Sequence, residues 1–160
     1  MARQTKVQEV RLARKPAMRV LKRGDLEAIV EIDKLLFKQS RRDYYERKVA
    51  AMLDTAHNIN SSLVAEVDGR IVGFIMGDVY FGEFGIPETT GIIDTLGVHP
   101  QLHNHGIASE LLEQFLTNMK AVGVNRVYTL VNWDDFGLEK FLSRHSFVPS
   151  KRINLEYKIP

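Results

Sequence analysis

The sequence predicts a mixed α/β fold: a central, mostly antiparallel sheet with helices packed on both faces. Three observations predict it. Apolar residues repeat with a period of two in some segments and at helical spacing in others. Asp68-Gly69 joins two apolar runs as a two-residue turn, the signature of a hairpin. The resulting order of strand, two helices, three strands, helix, strand, helix, strand demands a mixed sheet.

A chain of 160 residues suits one ordinary domain with one core, here residues 17–160. Apolar residues at 44% and charged residues at 26% are the proportions of a chain that folds by itself. The first 16 residues, with Arg3, Lys6, Arg11, Arg14 and Lys15 and no apolar periodicity, read as a mobile basic tail. Met18–Leu21 is a short strand, and Gly24 and Asp25 precede a helix carrying Leu26, Ile29, Val30, Ile32, Asp33, Leu36 and Phe37. Tyr44, Tyr45, Val49, Met52 and Leu53 predict a second amphipathic helix over 41–56. The hairpin is SLVAEV and RIVGFIMGDVYFG. Ile92–Val98 is a buried strand broken by Pro100, and Ile107, Leu111, Leu112, Phe115, Leu116 and Met119 mark a helix that Gly123 ends. Arg126–Asn132 is a further strand. Asp134 or Asp135 caps a helix with Phe136, Leu138, Phe141 and Leu142, and Ile153–Ile159 alternates as a last strand.

Charge and composition exclude several classes of function. A net charge of +2, from 22 basic and 20 acidic side chains, argues against a nucleic-acid surface or an anionic-membrane patch. Without cysteine there is no disulfide, thiolate nucleophile or cysteine zinc site. No apolar run approaches the roughly 20 residues of a membrane helix, and the first residues lack the apolar centre of a signal peptide, so a cytoplasmic location is expected.

Chemistry concentrates at IIDTLGVHPQLHNHGIASELL, where a buried strand ends at Pro100, a polar loop follows, and Gly106 opens a helix. Helix-start amides and the positive end of the helix dipole suit an anion such as a pyrophosphate, and Gly106 and Ala108 let it approach the backbone. The spacing V-x-P-x-x-x-x-x-G-I-A-x-x-L-L, met by Val98, Pro100, Gly106, Ile107, Ala108, Leu111 and Leu112, resembles the acyl-CoA signature of the GNAT superfamily of N-acetyltransferases. The element order from Met18 to Ile159 is also that of the superfamily.

The resemblance implies a GNAT-like sheet splayed between two parallel strands, and acetyl-CoA as cosubstrate; no metal is expected, on the spacing of the histidines. It implies that backbone amides of His103, Asn104, His105, Gly106, Ile107 and Ala108, with Ser109 beside them, hold the pyrophosphate. Main-chain groups around Leu96, Gly97 and Val98 would pair with the pantetheine arm, and Asn132 matches the position whose side chain faces that arm. An amine acceptor (a small molecule, a lysine or a protein N-terminus) would attack the thioester directly in a ternary complex. Dimers that use the last strand are common in the superfamily, so a homodimer is expected.

Departures from the pattern sharpen these expectations. His103 stands where Arg or Gln is usual and offers fewer donors, which leaves phosphate binding to the backbone. Ser146-Phe147 replaces a Gly-Phe pair, and Leu142 takes the place of a tyrosine that acts as thiolate acid, so a noncatalytic CoA-binding sensor is the alternative reading. Asp94, a carboxylate in an apolar strand, is a candidate base whose pKa burial would raise; by alternation it shares a face with Leu96 and Val98. Its plainer role is to accept loop hydrogen bonds. Tyr128 and Tyr80 are candidate phenols for the slot, each otherwise explained by packing. Glu83 reads as a loop acid that could line an acceptor pocket. His99, His103 and His105 lack the helical spacing of paired metal ligands.

Overall fold

The computed structural model describes residues 14–54 and 61–160, so nearly all of the expected basic tail and the expected end of the second helix, residues 55 and 56, lie outside the described residues. The chain divides into two compact units, one ending at Thr129 and the other beginning at Leu130.

The first unit runs β1 (Ala17–Val20), α1 (Leu26–Phe37), α2 (Arg42–Asp54), β2 (Leu63–Val67), β3 (Arg70–Phe81), β4 (Thr89–Val98), α3 (Ile107–Ala121) and β5 (Arg126–Thr129). The five strands form one sheet in chain order, antiparallel from β1 to β4. Only β4 and β5 are parallel, in register from Thr90↔Arg126 to Ile93↔Thr129. Asp68 and Gly69 both adopt positive φ, 49° and 76°, as the tight turn between β2 and β3 requires.

Helices cover both faces of this sheet. Phe74 and Met76 of β3 join Ile29 and Ile32 of α1 and Tyr45, Val49 and Met52 of α2 in one apolar cluster. The neighbouring positions of β3 face the other way, toward α3: a Cβ on Gly73 would lie 3.2 Å from both Ile107 and Leu111. Gly77 is more tightly constrained, since a Cβ there would stand 2.2 Å from the Ile92 carbonyl and 2.7 Å from the Phe115 ring. Only glycine lets α3 approach so closely.

Two irregularities in β4 set the site. Met76 pairs with Thr95 and Gly77 with Ile93, so Asp94 is an unmatched residue in a β-bulge. On β2's side of β3 at this level, the Gly77 amide donates to Ser62 Oγ (3.3 Å) and its carbonyl accepts from Ser61 Oγ. Pairing with β5 stops at Ile93↔Thr129, yet β4 continues to Val98. From Thr95 onward β4 is therefore paired with β3 alone among the described residues.

The second unit holds α4 (Phe136–Arg144), whose cap is Asp135: its carboxylate accepts the Leu138 amide at 3.0 Å. Two expected features differ. β5 ends three residues short of Asn132, and Ile153–Ile159 forms no strand. Ile153, Leu155, Tyr157 and Ile159 are each more than four-fifths exposed. Alternation defines two faces of a strand but supplies no partner, and an unpaired strand has little stability of its own. Among the described residues no helix is long and apolar enough to cross a membrane.

Candidate functional site

The loop after β4 is built by local rules. His99 starts a 3-10 turn over Pro100–Leu102, its Nδ1 accepting the Gln101 amide at 3.3 Å, and buried Leu102 anchors it. His103 turns back and donates Nε2–H to the Val98 carbonyl (2.8 Å), and His105 donates Nδ1–H to the His103 carbonyl (2.9 Å). A carbonyl can only accept, so these bonds fix which nitrogens carry hydrogen. Asn104 (φ 65°) and Gly106 (φ 79°) take left-handed conformations and deliver the chain into α3.

Gly106 caps α3 without a side chain, and a Cβ placed on it would meet nothing within 4 Å. The start of this 15-residue helix thus has open space at the Gly106 Cβ position. First-turn N–H groups lack intrahelical acceptors and sit at the positive end of the dipole, so the start of α3 suits an anionic group. Beside it, the β4 edge from Thr95 to Val98 carries backbone groups beyond the end of its pairing with β5. His103 offers little besides: one ring nitrogen is committed to Val98.

The bulge corrects the placement of Asp94. Its extra residue reverses the alternation, so Asp94 does not share a face with Leu96 and Val98. Val98 pairs with Gly73 on the α3 side, and Leu96 follows the same alternation, whereas Asp94 accepts a short hydrogen bond from Lys48 Nζ of α2. Nor is Asp94 enclosed in an apolar strand: its side chain is about one-quarter exposed.

Lys48 stands 4.0 Å from the Asp78 carboxylate as well, so one ammonium serves two acids. The Tyr80 hydroxyl donates to Asp78 at 3.5 Å. These four side chains, with Met76, Gly77 and Met52 among others, line a cavity of about 360 Å³. A second cavity of about 470 Å³, lined by Asp43, Tyr44 and Arg47, shares Lys48 and Ala51 as walls. Burial pushes the Asp78 carboxyl above its ordinary value, with Lys48 opposing and Asp94 reinforcing the shift. Burial works to lower the Lys48 ammonium, but its bond to Asp94 and the nearby negative charge hold it above the ordinary lysine value. Burial likewise raises the Tyr80 and Tyr44 phenols, with Asp78 adding to the first and Asp94 to both.

Of the residues singled out in the sequence, Asp94 and Tyr80 come together here. Tyr128 does not line the cavity; it pairs with Ile92, which pairs with Asp78, so it shares their face two strands away. Glu83 sits exposed in a 3-10 turn, and Asn132 lies in the second unit, its carbonyl accepting the Asp135 amide. Leu142 is buried on α4. Sequence reasoning missed Asp78 and Lys48. Asp78 carries the same signal as Asp94, a carboxylate within an apolar strand, whereas a lysine on the polar face of a helix gives none.

Comparison with known proteins identifies the family and the fold. Residues 26–147 match the family model described as the acetyltransferase (GNAT) family. An acetyltransferase of Pectobacterium atrosepticum is 30% identical over 122 residues, 74% of this chain and 77% of that protein. A transcriptional regulator from Bacillus halodurans C-125 superimposes with a TM-score of 0.76 at 18% identity, covering 90% of this chain and 99% of the other. The aminoglycoside N-acetyltransferase AAC(6')-Iy, in complex with CoA, does so with a TM-score of 0.74 at 17% identity, covering 91% and 97%. At these identities the two structures speak for the fold.

Proposed function

Because the chain belongs to the GNAT family of acetyltransferases, we propose that it is an N-acetyltransferase that passes the acetyl group of acetyl-CoA directly to a primary amine. The observation that carries this reading is the bulge at Asp94, beyond which β4 loses β5 as a neighbour and on whose α2 side a carboxylate pair gathers. In this reading acetyl-CoA lies along Leu96, Gly97 and Val98, with its pyrophosphate against the amides of His103–Ala108, near Ser109. Asn132 is the proposed side-chain contact to the coenzyme arm.

The acceptor approaches from the Asp78–Asp94 cavity. Its neutral nitrogen forms the new N–C bond while the C–S bond breaks. The amide of Leu96 or Val98 polarises the carbonyl, a carboxylate of the pair takes the nitrogen's proton, and the coenzyme leaves as a thiolate that takes up a proton in turn. Tyr80 is the better placed phenol for that last proton, since it lines the cavity and Tyr128 does not. The reading carries with it a cytoplasmic setting, and a homodimer in which the exposed, alternating Ile153–Ile159 adds to a sheet edge.

Calorimetry with acetyl-CoA, followed by thiol release across a panel of amines, tests the assignment. Asp94→Asn should bind acetyl-CoA as the parent does and lose about 100-fold in kcat/KM. Tight binding without turnover on any amine would make the chain a CoA sensor, and absence of binding would sink both readings.

A further inference from the structure

Lys48 is the one ionisable side chain lining the cavity that the proposed reaction does not use, and it stands where that reading brings the acceptor. Its Nζ donates to Asp94 and lies 4.0 Å from Asp78. It carries the functional group that the reaction consumes, a primary amine on an alkyl stem. The same side chain forms a shared wall of both cavities, so a swing of its stem would connect the space beside Asp78, Asp94 and Tyr80 with the space beside Asp43 and Tyr44. Its side chain is about one-quarter exposed, and a swing gives up a part-exposed ion pair, an interaction that contributes little.

Charge decides what enters in its place. With Lys48 in position the trio of Asp78, Asp94 and Lys48 has a net charge of −1; with Lys48 swung out, two carboxylates face the cavity and the net charge becomes −2. Two uncompensated carboxylates in a part-buried site favour a guest bearing more than one positive charge. An acceptor bearing its own carboxylate would meet repulsion from both acids.

We propose that Lys48 is a built-in stand-in for the acceptor's ammonium, and that the site selects compact polycationic amines, which displace it from between Asp78 and Asp94. This rests on the acetyltransferase reading and gives it a substrate class and a residue that sets affinity. A site occupied by its own ligand nine-tenths of the time binds an outside one about tenfold more weakly. Removing the lysine's charge should therefore tighten binding.

The test titrates spermidine into the full chain saturated with CoA, for the parent, Lys48→Met, Lys48→Gln and Lys48→Arg, with acetyl-CoA titrated into each protein in parallel. Methionine keeps the apolar stem and glutamine keeps polarity, so either can stand in if the other fails to fold. The expected result is a spermidine Kd lowered about tenfold in the Met and Gln variants and unchanged in the Arg variant. β-Alanine, an amine with a carboxylate, should bind none of them measurably. Spermidine binding that is equal or weaker in the Met and Gln variants, or absent from all four proteins, overturns the proposal. Loss of acetyl-CoA binding by the parent strikes the acetyltransferase reading instead, and the two failures are read separately.

Discussion

Two clusters draw cations from the same stretch of chain and use them in opposite ways. Just before α2, Arg41 meets the buried Asp33 of α1 through two guanidinium nitrogens, one of them at 2.9 Å, and the Tyr45 hydroxyl donates to the same carboxylate at 2.7 Å. The guanidinium also lies 4.1 Å over the Phe37 ring. Further along α2, Lys48 is shared by Asp94 and Asp78. One carboxylate with three donors is a closed account of charge and hydrogen bonds, and it fastens the α1–α2 connection. Two carboxylates with one ammonium leave acceptor capacity over. Buried charge is tolerable only when fully paired, so the saturated cluster reads as structure and the undersupplied one, open to solvent, as a place for a cationic guest.

The largest expected effect breaks the saturated side. Asp33→Asn removes the charge that Arg41 needs and weakens the partner of a fully buried phenol, and it should cost about 3 kcal/mol in chemical denaturation. Asp94→Asn, at a part-exposed pair, should cost less than about 1 kcal/mol. Similar losses for the two would erase the distinction.

A subtler effect lies in pH dependence, where carboxylates of the two kinds should differ in sign. Asp25 belongs with Asp33: Arg19 binds it with two nitrogens at 2.8 Å each and the Lys22 amide adds a third donor, which together hold its pKa below the ordinary value. Its contribution to stability is present above the ordinary carboxylate pKa and is lost as pH falls through the depressed native value. Asp78 is raised, so the folded chain holds its proton longer than the unfolded one. Stability then falls as pH rises from the ordinary value through the native one. Thermal melts should therefore show Asp78→Asn more stable than the parent near neutrality and equal to it at about pH 3, where both states are protonated. Asp25→Asn should be less stable near neutrality, and the difference should narrow toward acid. Equal signs near neutrality would mean that Lys48 satisfies Asp78 as fully as Arg19 satisfies Asp25.

What the sequence made legible follows the range of the interaction involved. The turn at Asp68-Gly69, the break at Pro100, the opening of α3 at Gly106 and its apolar stripe are local events, and each was readable from a few residues. Asp94 was visible as a charge out of place. Its direction was not, because a one-residue bulge arises from pairing between β3 and β4 and leaves the alternation of the sequence unchanged. Lys48 has meaning only through two strands distant from it in the chain. The alternation of Ile153–Ile159 was equally plain, but a strand requires a neighbour that the pattern does not name.

The smallest effect concerns Thr95, the residue that follows the bulge. Its Oγ1 is buried and has no hydrogen-bond partner among the described residues, the far end of the series that runs from three donors on Asp33 to one ammonium between two acids. A buried hydroxyl without a partner is a cost that a methyl group of the same shape does not carry, so Thr95→Val should leave stability unchanged or raise it by up to about 1 kcal/mol. If the hydroxyl instead turns toward the reacting groups once acetyl-CoA and an amine are in place, kcat/KM should fall several-fold in the same variant while the fold gains. That pairing of gain and loss would assign Thr95 to the undersupplied cluster beside Asp94. A loss of stability without loss of activity would assign it to the saturated side.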